Sequence, residues 1–255
     1  MFPLRDNIPT DRFPVVTVLL IIANVLMYFF FQHGTISLGS PESTDFLANL
    51  YEYGTIPYEV THPGEQCVPS GNTLACGELE GADLAPTWLT LLTAMFMHGG
   101  LLHLGGNMLF LWIFGNNVED SMGPVKFVLF YVLGGLAADA AQILIDTSAK
   151  IPTIGASGAV AAVLGGYLLL FPRARVVTVV FIIFFFTILE LPAILFLGIW
   201  ILQQGLFAYF DLLQPNGGGG GVAYFAHIGG FVFGLLAIRL FASERRRRTQ
   251  LERMT

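Results

Sequence analysis

Apolar runs long enough to cross a bilayer, separated by polar stretches, set the pattern of this chain. The first covers residues 13–31, close to the ~20 residues that span a hydrocarbon core about 30 Å thick. Apolar character returns at Trp88 to Met97, breaks at Gly99 and Gly100, and resumes from Leu101 to Val118. That pattern predicts a short helix near the interface and then a second span. Glu119, Asp120, Ser121 and Gly123 close it, and Pro124 suits a helix start, so a third span is expected over residues 124–145. A fourth is expected over 155–171, ended by Pro172, and a last over 222–241. Between them, residues 176–209 are almost unbroken apolar sequence, with Pro192 beside Glu190 as the one strong breaker. The simplest division makes residues 190–209 the fifth span. It leaves 176–189, with adjacent β-branched residues and the Phe184 to Phe186 cluster, as an interfacial, re-entrant or strand-like piece buried against protein.

The resulting fold class is an all-α integral membrane protein of six transmembrane helices. It comprises an N-terminal segment (1–12), a membrane domain (13–241) with an outer loop (32–87), and a basic tail (242–255). No small-residue cleavage site follows the first apolar run, so that run reads as an uncleaved anchor. Charge fixes the orientation, because loops rich in Lys and Arg stay cytoplasmic. Eleven of the 12 basic residues (Arg5, Arg12, Lys126, Arg173, Arg175, Arg239, Arg245 to Arg248 and Arg253) share one side if the chain crosses six times, and Lys150 is the exception. Both termini are then cytoplasmic, and the outer loop carries eight acids with no Lys or Arg. Composition agrees: 55% hydrophobic and 12% charged residues among 255 cannot clothe a water-soluble globule, which needs roughly 25% charge. The apolar content excludes disorder, and pI ≈ 5.3 without a basic, aromatic-laced patch excludes a nucleic-acid binder. Cys67 and Cys76, close together in the outer loop, can form a disulfide in an oxidising compartment or remain two free thiols.

Polar side chains inside spans are there for packing or for function. His103 and Asn107, four residues apart on span two, share a helix face. Gly155-Ala156-Ser157-Gly158 opens span four, and Ala226-His227-Ile228-Gly229-Gly230 lies near the start of span six. Spans two, four and six run in the same direction, so all three groups fall in one layer just below the outer surface. Gly158, Ala162 and Gly166 on span four, and Ala226, Gly230 and Gly234 on span six, are small residues at four-residue intervals that let helix backbones approach closely. Such an approach would carry Ser157 toward His227, and imidazole is the usual base for activating a hydroxyl. Two plainer readings stand beside this one: Ser and Asn as interhelical glue, and a structural His. No metal or cofactor is called for.

These three motifs, His103-Leu-Gly-Gly-Asn107, Gly155-Ala-Ser157-Gly158 and Ala226-His227-Ile-Gly229-Gly230, resemble the signatures of the rhomboid intramembrane serine proteases, in the same order. Gly115 to Gly123 and Glu190 to Ala193 also resemble segments of that family, whereas the outer loop lacks any Arg where many members carry a Trp-Arg pair. The resemblance implies Ser157 as nucleophile and His227 as general base. It implies His103, Asn107 and the Ser157 backbone N–H as oxyanion donors. The implied reaction is endopeptidase cleavage of membrane-anchored proteins through an acyl-enzyme on a Ser/His dyad. Neither Asp139 nor Asp146 is placed to orient His227. Thr93, His98, His103 and Asn107 are expected to help water reach the site, and Asn216 with the Gly217 to Gly221 run either caps it or serves as a plain linker. The partners implied are transmembrane protein substrates and the bilayer of a plasma or inner cell membrane. The main alternative is a rhomboid-like protein that binds or escorts membrane proteins without cutting them. A small transporter would need charged or inverted-repeat features at the midplane, and none stands out.

Overall fold

The computed structural model describes residues 1–36, 43–70, 73–78, 85–182, 185–213 and 222–243. Strand β1 (Phe2–Asp6) leads into helix α1 (Val15–Phe31). The segment between α1 and the next apolar helix holds α2 (Thr44–Tyr53), α3 (Pro57–Thr61) and a hairpin of β2 (Gln66–Ser70) and β3 (Thr73–Gly77). Then come α4 (Thr87–Phe96), α5 (Leu101–Met122), α6 (Pro124–Ile145) and α7 (Ser157–Leu170). A second hairpin, β4 (Arg175–Ile182) and β5 (Phe185–Pro192), precedes α8 (Ala193–Leu212) and α9 (Tyr224–Phe241).

Helices α6, α8 and α9 are long and apolar enough to cross a membrane. The pair α4 and α5, bent by 79°, makes a fourth candidate, and α1 and α7 are shorter apolar helices. Large apolar side chains face outward on α8 (Ile194, Leu202, Phe210) and on α9 (Leu236, Leu240), as a lipid-facing surface requires. By contrast α7 is enclosed: residues 158–167 are all buried. A helix hydrophobic all round and only about 21 Å long is stable there because protein surrounds it.

Close packing follows from the small-residue spacing. A Cβ on Gly230 would overlap the Gly158 carbonyl, and one on Gly234 would overlap that of Ala162. Only hydrogen at these positions lets α9 lie against α7 backbone to backbone. Gly158 in turn abuts Ala138 of α6 and Ala226 of α9. The bend between α4 and α5 is pinned to the end of α1, where Gln32 Nε2 donates to the His98 carbonyl (3.0 Å) and His98 N–H donates to Gln32 Oε1 (2.9 Å). At the other end of α1, Pro14 supplies no capping side chain. Glu119 of α5 does so instead, accepting from Val16 N–H (3.0 Å), Thr17 N–H (2.8 Å) and Thr17 Oγ1 (2.8 Å). This satisfies donors that a helix start leaves open.

The all-α expectation needs correction in two places, the β2–β3 hairpin and the stretch after α7. Residues 176–182 and 185–189 form strands, within β4 and β5, and β1 adds to β4 to give an antiparallel sheet in the order β1-β4-β5. The register pairs Phe2 with Val179, Asp6 with Val176, and Val176 with Leu191. The cause is local: Val176, Val177, Thr178, Val179 and Val180 form a β-branched run that favours extended backbone. Nor is the far end buried against protein, since Phe181, Phe185, Phe186 and Ile188 are exposed.

Between α1 and α4, Cys67 and Cys76 face each other across the β2–β3 hairpin and are joined by a disulfide (S–S 2.03 Å). The same segment between α1 and α4 also reaches the residues that precede Ser157. Thr55 and Thr153 exchange backbone hydrogen bonds (3.0 and 2.7 Å), and Thr55 Oγ1 donates to the Thr90 carbonyl (2.9 Å).

Candidate active site

Ser157 is the first residue of α7, so its N–H has no intrahelical acceptor. The segment before it is held on both sides: Thr153 pairs with Thr55, and Gly155 N–H donates to the Ala94 carbonyl (2.8 Å). Gly155 has φ +119°, a conformation that suits glycine. It also has no room for a side chain. A Cβ there would lie 2.7 Å from His103 Nε2, 2.9 Å from His103 Cε1 and 3.6 Å from Asn107 Nδ2. The two α5 side chains therefore press against the backbone that delivers Ser157.

Hydrogen bonding fixes what His103 presents. Gly99 N–H donates to its Nδ1 (3.3 Å), so Nδ1 carries the lone pair and the proton sits on Nε2, the atom that faces Gly155. Asn107 Nδ2 is buried without a hydrogen-bond partner among the described residues. A buried donor left open is costly and calls for a functional explanation. Two donors are thus aimed at the start of α7.

His227 lies in the first turn of α9. Gln142 of α6 anchors that turn, its Oε1 accepting from Ala226 N–H (3.2 Å). His227 Nδ1 lies 2.8 Å from Gln204 Oε1 on α8, and the Trp200 ring sits beside the imidazole, with centroids 5.8 Å apart. Ser157, His227, His103 and Asn107 all line one cavity of about 940 Å³. Leu102 and Phe110 of α5, Val160 and Leu164 of α7, and Trp200 of α8 supply its apolar lining. That volume is within the range of sites that take up sizeable ligands.

The positions singled out in the sequence fall into three groups. Ser157, His227, His103 and Asn107 share the cavity with Gly155 against them, whereas Gly158, Gly230 and Gly234 lie at helix contacts. Asp139 lies in a separate space of about 10 Å³ that also touches Ser157, with Oδ2 buried and unpartnered among the described residues. It makes no hydrogen bond to His227, and Asp146 caps Ser148. Thr93 and His98 lie outside the cavity lining: Thr93 Oγ1 donates to the Tyr53 carbonyl (2.7 Å), and His98 is buried with its ring edge-on to that of His103 (centroids 5.1 Å apart). Asn216, residues 217–221, Arg245 to Arg248 and Arg253 lie outside the described residues. Gln204 was not anticipated. Its signal was a Gln203-Gln204 pair inside a long apolar run, which is costly in a span.

The family model for the Rhomboid domain matches residues 85–244. Rhomboid protein 1, mitochondrial, of Saccharomyces cerevisiae is 29% identical over 163 residues, which is 60% of this chain and 42% of that protein. Rhomboid protease GluP of Bacillus subtilis is 37% identical over 81 residues, 32% of this chain and 15% of that protein. The mouse presenilin-associated rhomboid-like protein, mitochondrial, is 28% identical over 148 residues, 57% of this chain and 36% of that protein. The chain thus spans less than half the length of these curated relatives. Two carry mitochondrial names and one is bacterial, so kinship gives an integral membrane protein without specifying a plasma membrane. With the family match covering more than half of its length, this chain belongs to the rhomboid family.

Proposed function

We propose that this protein is an intramembrane serine endopeptidase that cuts membrane-anchored proteins near the outer face of the bilayer. The observation that carries the reading is the convergence of Ser157, His227, His103 and Asn107 on one cavity, with the proton of His103 on the nitrogen facing Gly155. In this reading Ser157 Oγ attacks the scissile carbonyl carbon and its proton passes to His227 Nε2. The oxyanion formed accepts hydrogen bonds from His103 Nε2–H, Asn107 Nδ2–H and the Ser157 backbone N–H. Collapse releases the amine, which takes the proton from His227, and leaves an acyl-Ser157. Water, deprotonated by His227, hydrolyses that ester and restores the hydroxyl. The unpartnered Asn107 donor supports this account, because the group it awaits exists only during reaction.

The same proposal places six crossings in the membrane, both termini in the cytoplasm, and the disulfide-bonded β2–β3 hairpin on an oxidising outer side. The decisive experiment is fluorophosphonate labelling of the purified chain, with cleavage of a transmembrane test substrate measured in parallel. Ser157→Ala is expected to abolish both while leaving thermal stability unchanged. Substrate capture without labelling or cleavage by the wild-type chain would instead identify a binding or escort protein.

A further inference from the structure

We infer that Gln204 is a positioning residue for His227, fixing its tautomer and ring orientation from α8; the catalytic part of this inference rests on the proteolytic reading above. Gln204 Nε2 donates to the Trp200 carbonyl one turn earlier (3.4 Å), which turns Oε1 toward His227 Nδ1 at 2.8 Å. An amide oxygen only accepts, so Nδ1 must carry the proton. Nε2 is then left with its lone pair, which is the state a base for Ser157 requires.

The two active-site histidines are thereby set in opposite tautomers by neighbours of opposite character. Gly99 N–H donates to Nδ1 of His103 and makes its Nε2 a donor, whereas Gln204 Oε1 accepts from Nδ1 of His227 and makes its Nε2 an acceptor. An oxyanion site needs the first and a general base the second. Gln204 is only 8% exposed, so water cannot readily replace its oxygen. The Trp200 ring against the imidazole restricts rotation further. The arrangement is that of the third member of a serine-protease triad, which holds the imidazole in the right tautomer, here with a neutral amide in place of a carboxylate.

The test compares the full chain in detergent as wild type, Gln204→Leu, Gln204→Glu and Ser157→Ala. It measures ¹⁵N ring shifts of His227, the fluorophosphonate acylation rate and kcat and KM for cleavage, each per folded molecule. Wild-type His227 is expected to show a protonated Nδ1 and a bare Nε2. Gln204→Leu, which removes the acceptor, should give a tautomer mixture and lower acylation and kcat by about 10- to 100-fold, with KM changed by no more than about twofold. Gln204→Glu, which keeps an oxygen at that place, should restore the single tautomer and most of the rate. A Gln204→Leu chain with the wild-type tautomer and kcat would overturn the inference, and so would a folded Gln204→Glu chain as impaired as Gln204→Leu. Should Gln204→Leu not fold, Gln204→Met removes the acceptor on an unbranched stem and is read in the same way. A wild-type chain that shows the tautomer contrast but neither acylates nor cleaves would overturn the hydrolytic reading while supporting the hold of Gln204 on the ring.

Discussion

Replacing Gly155 by Ala puts one methyl group where the oxyanion donors meet the nucleophile's backbone. Its Cβ would start 2.7 Å from His103 Nε2, whereas ordinary contact needs about 3.5 Å, so the ring must retreat by roughly 0.8 Å. It cannot retreat freely, because Gly99 N–H holds its Nδ1 at 3.3 Å. Asn107 Nδ2, at 3.6 Å from the same point, has room to stay. The backbone resists as well, since φ +119° on a residue with a side chain costs about 1–3 kcal/mol. Loss of one oxyanion donor lowers kcat by about 10²- to 10³-fold. With the His103 donor displaced and the Asn107 and Ser157 backbone donors kept, a fall of about 10²-fold is expected, or roughly 2.7 kcal/mol in the barrier, with KM little changed. The assay is cleavage of a transmembrane substrate in proteoliposomes, normalised to folded protein, with a melting curve alongside. If the methyl acts through the imidazole, Gly155→Ala combined with His103→Ala is hardly slower than His103→Ala alone. Wild-type turnover per folded Gly155→Ala molecule, or rate losses that multiply in the double variant, would refute the reasoning.

Two further predictions concern the far side of the molecule from the cavity. Burial raises the Asp6 carboxyl to about 6, although Tyr167 and Asn117 donate to it. The folded state therefore holds a proton that the unfolded chain releases, and the resulting stabilisation is complete below the ordinary value of 3.8 and lost as pH rises through about 6. The melting temperature should accordingly fall between pH 5 and pH 7.5 in wild type and less so in Asp6→Asn; equal slopes would contradict this. Glu119→Ala strands two backbone N–H groups and one hydroxyl at the start of α1. It should cost about 2–4 kcal/mol of stability, seen as a lowered melting temperature, with Glu119→Gln milder; an unchanged melting temperature would show that water substitutes for the cap.

Sequence punctuation explains what was legible. Gly123-Pro124 marks a helix start as sharply as any signal in the chain, and the helix found there, Pro124–Ile145, has the expected bounds. Counting turns from the starts of spans two, four and six placed Ser157, His103, Asn107 and His227 in one layer, and they line one cavity. The β4–β5 hairpin was harder, because its outer strand neighbour is Phe2–Asp6, some 170 residues away. Apolar residues on both faces give neither a period of 2 nor one of 3.6 to read. Gln204 escaped for a different reason. Its importance lies in one hydrogen bond to the next helix of the chain, which begins at Tyr224, and spacing along a single helix cannot reveal such a bond.

The sheet β1-β4-β5 has a mechanical consequence. β5 ends at Pro192 and α8 begins at Ala193, so the first strand of the chain, the hairpin and the helix bearing Gln204 are coupled in series, like links in a linkage. A load applied at Phe2 passes through β4 and β5 to the base of that helix. Stripping β1 would leave β4 as a raw edge open to strand exchange between molecules and would remove one tether on the lever that holds the imidazole. An affinity handle, fusion partner or tether placed just before Phe2 therefore pulls on a strand linked through β4 and β5 to the helix that bears Gln204.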